Sequence, residues 1–264
     1  MPSEIFSIPQ AVELGEFVLS AYDLFVNPAA FTMPAGYALV SHIFADDITD
    51  NDPAYKVFGF IARSGSDVVI AIRGTEGVFE WAKDVEFGLV RFPYLNAGHS
   101  EQGFTGFYST LRIGPDNTQL RVIEALANIV ADGSVTRLRI TGHSLGAALA
   151  TMLAIDVAGN NVFAKPVVYT FASPRVGDKI FAGTYDGLVE TSWRISNLND
   201  RVPQLPPEFV GYTHVDAEHP INSDDRCKHT YGCWHSLDTY LNVLDSSTPL
   251  DAGCDPRPPI AAPA

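Results

Sequence analysis

Apolar residues recur along this chain at two different spacings, and the alternation between them predicts the fold. Between Gln10 and Phe25, Val12, Leu14, Phe17, Val18, Ala21 and Tyr22 form one broad apolar face, which predicts a helix. Asn27-Pro28 ends it, because the residue before a proline avoids the helical region. A polar, aspartate-rich loop is expected from Ala45 to Pro53. Lys56–Ala62 and Asp67–Arg73 then have strand character, and Ser64-Gly65-Ser66 predicts a hairpin between them. Leu120, Ile123, Ala127 and Val130 predict a helix over Asn117–Ala131, stopped by Asp132-Gly133. Val135–Thr141 reads as a strand, Leu145–Ala158 as an alanine-rich helix, and Pro166–Ala172 and Ser192–Ser196 as further strands.

Helices interleaved with apolar strands predict an α/β fold with a mostly parallel sheet and right-handed crossovers. No internal repeat interrupts the pattern, so a single domain is expected over residues 1–254. The segment from Asp255 to Ala264 carries four prolines and is expected to trail as a disordered tail.

Composition narrows the partners. The 264 residues are 46% hydrophobic and 18% charged, with a formal net charge of −14. Such a surface repels phosphate backbones, which argues against nucleic acid. No apolar run approaches the roughly 18 residues of a membrane span. Met1–Gln10 lacks the basic start and apolar centre of a secretory signal, so the expected location is cytoplasmic by default. A secreted protein whose leader had been removed would read identically.

The candidate chemistry centres on Gly142-His143-Ser144-Leu145-Gly146, a G-x-S-x-G pentapeptide. It falls where a β-branched strand ends and a small-residue helix begins, the context a nucleophile elbow requires. A sharp turn there would push the Ser144 hydroxyl clear of the sheet, and the glycines would let strand and helix pass without a Cβ collision. Free N–H groups at the helix start favour negative charge on a reacting oxygen, and the N–H of Leu145 is the first candidate oxyanion donor. A carboxylate and an imidazole should follow in the chain order Ser, Asp, His. Asp156, Asp178, Asp186 and Asp200 are candidates for the acid, and His214, His219, His229 and His235 for the base.

At this point the chain resembles the fungal-type (class 3) lipases of the α/β-hydrolase superfamily. The resemblance rests on Ile72-Arg73-Gly74-Thr75, Trp81-Ala82-Lys83-Asp84, Gly103-Phe104 and Ile140-Thr141-Gly142-His143-Ser144-Leu145-Gly146. It continues through Ser173-Pro174-Arg175-Val176-Gly177-Asp178 and Asn199-Asp200-Arg201-Val202-Pro203-Gln204-Leu205-Pro206-Pro207. These blocks stand in the family's order from about residue 17 to residue 241. The resemblance implies a serine hydrolase of carboxylic esters, most simply a triacylglycerol lipase, with a Ser144–Asp200–His235 triad. It implies Thr75 as second oxyanion donor beside Leu145, and Asp84 as the residue that orients the Thr75 hydroxyl. His214 matches a non-catalytic family position, while the stretch after His235 matches the one around the family's catalytic histidine.

By the same resemblance, Glu76–Phe87 is a lid. Val78, Trp81, Ala82 and Val85 share one helical face, Phe79 adds to its apolar residues, and Gly77 and Gly88 are placed to hinge it. The implied partner is an ester or lipid substrate with transient contact to a lipid interface; no cofactor and no metal are expected. A feruloyl or other aryl esterase, a polyester hydrolase and a non-catalytic lipid-sensing relative remain open on the same residues. Phe107, Val202, Leu205, Phe209 and Val210 read equally as acyl-pocket wall or as ordinary core.

Three cysteines cluster late in the chain. Asp23 follows Tyr22 where some family members carry a cysteine, which leaves Cys254 without that partner. The expectation is a Cys227–Cys233 bridge and a free Cys254. Cys227, His229, Cys233 and His235 also form C-x-H-x3-C-x-H, a set of possible zinc ligands whose use would remove His235 from catalysis.

Overall fold

The computed structural model describes residues 4–29, 31–46, 55–75 and 88–256. The elements at issue here are helix α1 (Ile8–Val26), strands β1 (Ala38–Asp46), β2 (Tyr55–Ser64), β3 (Asp67–Ile72), β4 (Leu89–Arg91) and β5 (His99–Glu101), then helices α2 (Gln102–Thr110) and α3 (Val122–Val130). There follow β6 (Arg137–His143), α4 (Leu145–Gly159), β7 (Val167–Phe171), β8 (Gly177–Asp178), α5 (Lys179–Leu188), β9 (Thr191–Asn197), β10 (Tyr212–Thr213), β11 (Glu218–Ile221), α6 (Tyr231–His235) and α7 (Leu237–Leu244).

The main sheet has seven strands in the order β1-β2-β3-β6-β7-β9-β11. From β3 to β11 every neighbouring pair is parallel, while β1 and β2 are added antiparallel at one edge. The β2–β3 hairpin pairs Ser64 with Asp67 around Gly65, whose φ of 57° suits glycine. A second, four-stranded sheet has the order β10-β8-β5-β4.

Strict alternation along the strands divides the core between the two faces of the main sheet. In β3, Val68, Ile70 and Ile72 join one cluster with residues of α2 to α5, and Val69 and Ala71 join the other with α1 and α7. In β7, Val168 faces the first cluster, and Val167, Tyr169 and Phe171 the second. Helix α4 is buried from Leu145 to Ala158, as expected of a helix that is apolar all round. Helix α1 is fastened across the sheet by Arg139, which lies on β6. Its buried guanidinium donates to the Glu13 carboxylate at 2.7 and 3.0 Å and to Asp67 at 2.7 Å. A buried guanidinium left unpaired would be costly, so α1 has one favourable seat.

Several expectations need correction. The helix foreseen over Asn117–Ala131 begins only at Val122. Asp116 caps a turn by accepting from the Thr118 N–H and hydroxyl, Arg112 and Arg121 form a β-bridge, and Glu124 accepts the Arg121 N–H to open the helix. The foreseen polar loop from Ala45 starts later, because β1 runs on to Asp46; its remainder lies outside the described residues. The expected Cys227–Cys233 bridge is absent. Cys233 is bonded to Cys254, and Cys227 is a free, buried thiol. Distance in the folded chain, not spacing in the sequence, decides the pairing. The Cys227, His229, Cys233, His235 set is therefore not a free ligand quartet, and among the described residues no group of three or more His, Cys, Asp or Glu side chains is arranged to hold a metal. Among the described residues no helix is long and apolar enough to cross a membrane. Residues 257–264 of the foreseen tail lie outside the described residues.

The Cys233–Cys254 bridge joins residues 21 apart. Closing a loop of that length in the unfolded chain contributes about 3 kcal/mol to stability. Cys254→Ala should lower the unfolding free energy by about that amount in urea titrations; an unchanged midpoint would show that the bridge adds nothing.

Candidate active site

Strand β6 ends at His143 and helix α4 begins at Leu145, so the whole reversal falls on Ser144. Its φ of 58° and ψ of −124° lie where a residue with a Cβ is strained. The turn is possible because of two glycines. A Cβ on Gly142 would stand 2.3 Å from the Gly146 carbonyl oxygen, and one on Gly146 would stand 2.3 Å from the Ile72 carbonyl oxygen. Strand β6, helix α4 and the end of β3 thus close to backbone contact. The Ser144 N–H is satisfied by the Phe171 carbonyl of β7 at 3.0 Å.

The structure brings Ser144, His235 and Asp200 together. His235 Nε2 lies 2.9 Å from Ser144 Oγ, and His235 Nδ1 lies 2.7 Å from Asp200 Oδ2. All three are buried: Ser144 is 0% exposed, Asp200 2% and His235 7%. Asp200 sits just past the end of β9, its Oδ1 accepting the Val202 N–H at 3.0 Å and its Oδ2 the Tyr240 hydroxyl at 2.8 Å. The Tyr240 oxygen in turn accepts the Asn197 N–H at 3.1 Å. Burial, and then the Asp200 charge, push the Tyr240 phenol well above its ordinary range, so it stays protonated as a donor. A hydroxyl, an imidazole and a carboxylate in this order can pass a proton from the hydroxyl to the ring while the carboxylate holds the ring's other N–H.

The other candidate acids have different work. Asp156 accepts from the Tyr108 hydroxyl at 2.6 Å and from Asn160 at 2.6 Å. Asp178 caps α5 through the Phe181 N–H and binds His99. Asp186 accepts the Asp216 N–H. The other histidines are likewise engaged. His214 Nε2 donates to the Pro203 carbonyl at 2.6 Å, His219 stacks on Phe6 with centroids 3.6 Å apart, and His229 Nε2 donates to the Asp224 carbonyl at 2.7 Å.

His143, inside the elbow, forms a connection that sequence reading missed. Its Nε2 lies 2.8 Å from the His235 carbonyl, which can only accept, so the proton is on Nε2. Burial, reinforced by the nearby His235 ring, holds its pKa well below the ordinary value, so the ring is neutral. Nδ1 is then an acceptor for the Tyr22 hydroxyl at 2.8 Å, and the Tyr22 oxygen accepts the Gly74 N–H at 2.9 Å. The Gly74 carbonyl meanwhile accepts from Arg73 Nη1 at 2.6 Å. Arg73 itself is stacked between the rings of Phe25 and Phe58, at 3.6 and 4.3 Å from their centroids. Both ends of the Gly74 residue are therefore pinned. A Cβ there would lie 3.0 Å from the Ser144 Cβ, so this loop packs directly against Ser144. Thr75 comes next and shares a cavity wall with His235. Leu145 opens α4, so its N–H has no carbonyl one turn back to meet.

The lid residues Val78, Phe79, Trp81 and Val85, together with Gly77 and Asp84, lie outside the described residues. Gly88 is described, and its carbonyl accepts the Gln102 N–H at 2.8 Å. The residues weighed as acyl-pocket wall divide. Phe107 belongs to the main core at 1% exposure, packed on Phe58, and Val202 is buried beside Asp200, whereas Phe209 and Val210 are exposed.

Comparison with known proteins gives the family. The family model described as Lipase (class 3) matches residues 69–210, more than half of the chain. The chain belongs to the class 3 lipase family. A curated relative, the secreted mono- and diacylglycerol lipase A of Penicillium cyclopium, is 35% identical over 190 residues, covering 70% of this chain and 57% of its own. Phospholipase A1-II 4 of Oryza sativa is 32% identical over 206 residues, covering 70% of this chain and 52% of its own. The chain thus spans little more than half the length of these relatives. A solved mutant form of the Penicillium cyclopium protein MDLA superposes with a TM-score of 0.65 at 26% identity, over 83% of this chain and 82% of that one. A triacylglyceride lipase of Rhizomucor miehei superposes with a TM-score of 0.67 at 21% identity, over 84% and 82% of the two chains, and shares the α/β-hydrolase fold.

Two expectations follow for this member of the class 3 lipase family. His143→Phe removes the bonds to Tyr22 and the His235 carbonyl and should lower kcat on a soluble ester about tenfold, the worth of one hydrogen bond of ~1.4 kcal/mol. His143→Gln, which can donate and accept in the same directions, should recover most of it; equal losses in both variants would exclude the bonded role. The second concerns pH. Burial, with the charges of Arg194 and Arg175 acting the same way, pushes the His214 pKa down to about 3. In the unfolded chain the same imidazole titrates near 6.5, so between about pH 6.5 and 3 the unfolded state binds more protons and stability falls as the pH is lowered. His214→Gln should flatten that limb in denaturation curves, and an unaltered slope would rule the contribution out.

Proposed function

We propose that this chain hydrolyses carboxylic esters of lipids through an acyl-enzyme, with Ser144 as nucleophile, His235 as acid and base, and Asp200 as the group that orients His235. The observation that carries the reading is the continuous contact from Ser144 Oγ through His235 to Asp200, 2.9 and 2.7 Å, at a strained strand-to-helix corner. Ser144 Oγ attacks the ester carbonyl as its proton passes to His235 Nε2. The tetrahedral oxyanion receives the N–H of Leu145 and that of Thr75, donors worth on the order of 3 kcal/mol each. His235 returns the proton to the departing alcohol, and the acyl group remains on Ser144. Water then repeats the sequence and releases the acid. Asp84 is assigned the support of the Thr75 hydroxyl, and the 76–87 segment, with Val78, Phe79, Trp81 and Val85, the cover over the serine.

Mono- and diacylglycerols and phospholipids are the substrate classes in the names of the two curated relatives, and both present an ester carbonyl to such a site. The disulfide and the secreted relative favour an oxidising compartment for the working protein.

Ser144→Ala should lower kcat by about 10⁴ or more and abolish labelling by a fluorophosphonate probe, with the melting transition retained. Undiminished turnover in that variant, or labelling elsewhere in the wild type, would refute the assignment. A p-nitrophenyl ester series separates lipid from aryl or short-chain specificity, the lipid reading requiring faster turnover of medium and long acyl chains than of acetate.

A further inference from the structure

Beside the triad lies a cavity of about 500 Å³ whose lining includes Thr75 and His235. Helix α1 contributes Leu19 and Asp23 to it, and α7 contributes Leu237 and Asp238. Among the described residues no lysine or arginine lines it. Asp23 is exposed and Asp238 half-buried. The Asp238 carboxyl accepts weakly from the Ser236 hydroxyl at 3.3 Å. Its pKa is raised, first by burial and then by the charges of Asp251 and Asp23, against the opposing hydrogen bonds. The two carboxylates therefore act on the same volume with the same sign.

The position of that volume matters because of the direction of proton transfer. In the reading proposed above, the departing oxygen takes its proton from His235 Nε2, so the alcohol half of the ester lies on the imidazole's side of Ser144. The acidic cavity has that imidazole in its wall. A phosphate attached to the departing glycerol would bring a negative charge toward two carboxylates in a partly desolvated cavity, where like charges interact far more strongly than in water. A neutral glycerol brings no charge, and its hydroxyl can donate to a carboxylate.

We infer that Asp23 and Asp238 are specificity-determining residues that admit uncharged alcohols to the leaving-group side of the site and reject glycerophospholipids bearing an anionic headgroup. The inference rests on the proposed ester hydrolysis and goes beyond it, because the triad alone would cleave both lipid classes.

The test compares dioleoylglycerol with dioleoylphosphatidylglycerol in mixed micelles of a neutral detergent, taking the ratio of kcat/KM. The expected ratio for the wild type is at least about 30 in favour of the neutral lipid. Asp23→Asn should lower the ratio, and Asp23→Asn with Asp238→Asn should lower it about tenfold, through faster cleavage of the anionic lipid. Asp116→Asn with Asp132→Asn changes the net charge equally at exposed sites and should leave the ratio as in the wild type. A wild-type ratio near one, an unmoved ratio in the double cavity variant, or an equal fall in the distant pair would overturn the proposal. Turnover of p-nitrophenyl butyrate, measured beside each assay, separates the outcomes. If the wild type fails there too, the proposed hydrolysis falls; if it succeeds while the ratios disagree, only the headgroup assignment falls.

Discussion

The site depends on one turn of backbone. Between His143 and Leu145 the chain passes from a parallel strand to a helix with a single residue to do so, and that residue, Ser144, has a Cβ at a φ of 58°. Such a conformation costs of order 1–3 kcal/mol and persists only where its surroundings over-determine it. Here they do. Helix α4 is buried over nearly its whole length, Gly142 and Gly146 spare the Cβ atoms that would hold strand and helix apart, and Phe171 binds the Ser144 N–H. The serine oxygen is consequently fixed relative to the sheet before any partner is considered.

The partners reach that oxygen through a polar layer packed behind it. Gly74 is held from both sides, by Tyr22 at its N–H and by Arg73 at its carbonyl, and His143 joins the same tyrosine to the carbonyl of His235. One set of hydrogen bonds thus spans helix α1, the loop after β3, the elbow and the segment carrying the base. The neutrality of His143 is essential to this arrangement. Its ring lies 4.7 Å from that of His235, and a second positive charge there would oppose the imidazolium that the proposed ester attack requires. Burial keeps His143 neutral, and the carbonyl it donates to fixes its tautomer.

Much of the scaffold is legible in the sequence because periodicity maps directly onto burial. The alternation in β3 and β7 and the continuous apolar run of α4 each specify which face meets which cluster. The elbow is legible because its glycines answer a local steric demand. What is not legible is contact between distant segments. Spacing favoured a Cys227–Cys233 bridge, whereas the fold carries Cys254 back to Cys233. Tyr22 reads as an apolar helix-face residue, and only the packing of α1 and α7 against the sheet reveals that the hydroxyls of Tyr22 and Tyr240 enter the site. Strand β1 escaped notice because its first three residues are exposed on an edge and its pattern is irregular, with shifts in register against β2. The start of α3 was misplaced because a side-chain-capped turn competes with the helix over the same residues.

The contrast between Ser144 and His235 explains why one was read locally and the other only by resemblance. Ser144 opens a 15-residue helix, whereas His235 ends a helix of 5 residues, far too short to be stable alone. The position of His235 is supplied by ties from elsewhere: the Cys233–Cys254 bridge two residues before it, the Trp234 carbonyl accepting from Asn197 Nδ2 at 2.8 Å, its own carbonyl bound by His143, and the buried Leu237 just beyond. Of these ties only Cys233 is visible in the sequence around residue 235, and its partner is not. An imidazole held by four tertiary contacts, facing a serine held by its own backbone, places the adjustable half of the pair on the imidazole side. That imidazole also lines the acidic cavity, and the helix carrying Asp238 begins two residues beyond it, so a residue that would discriminate the alcohol sits on the element next to His235.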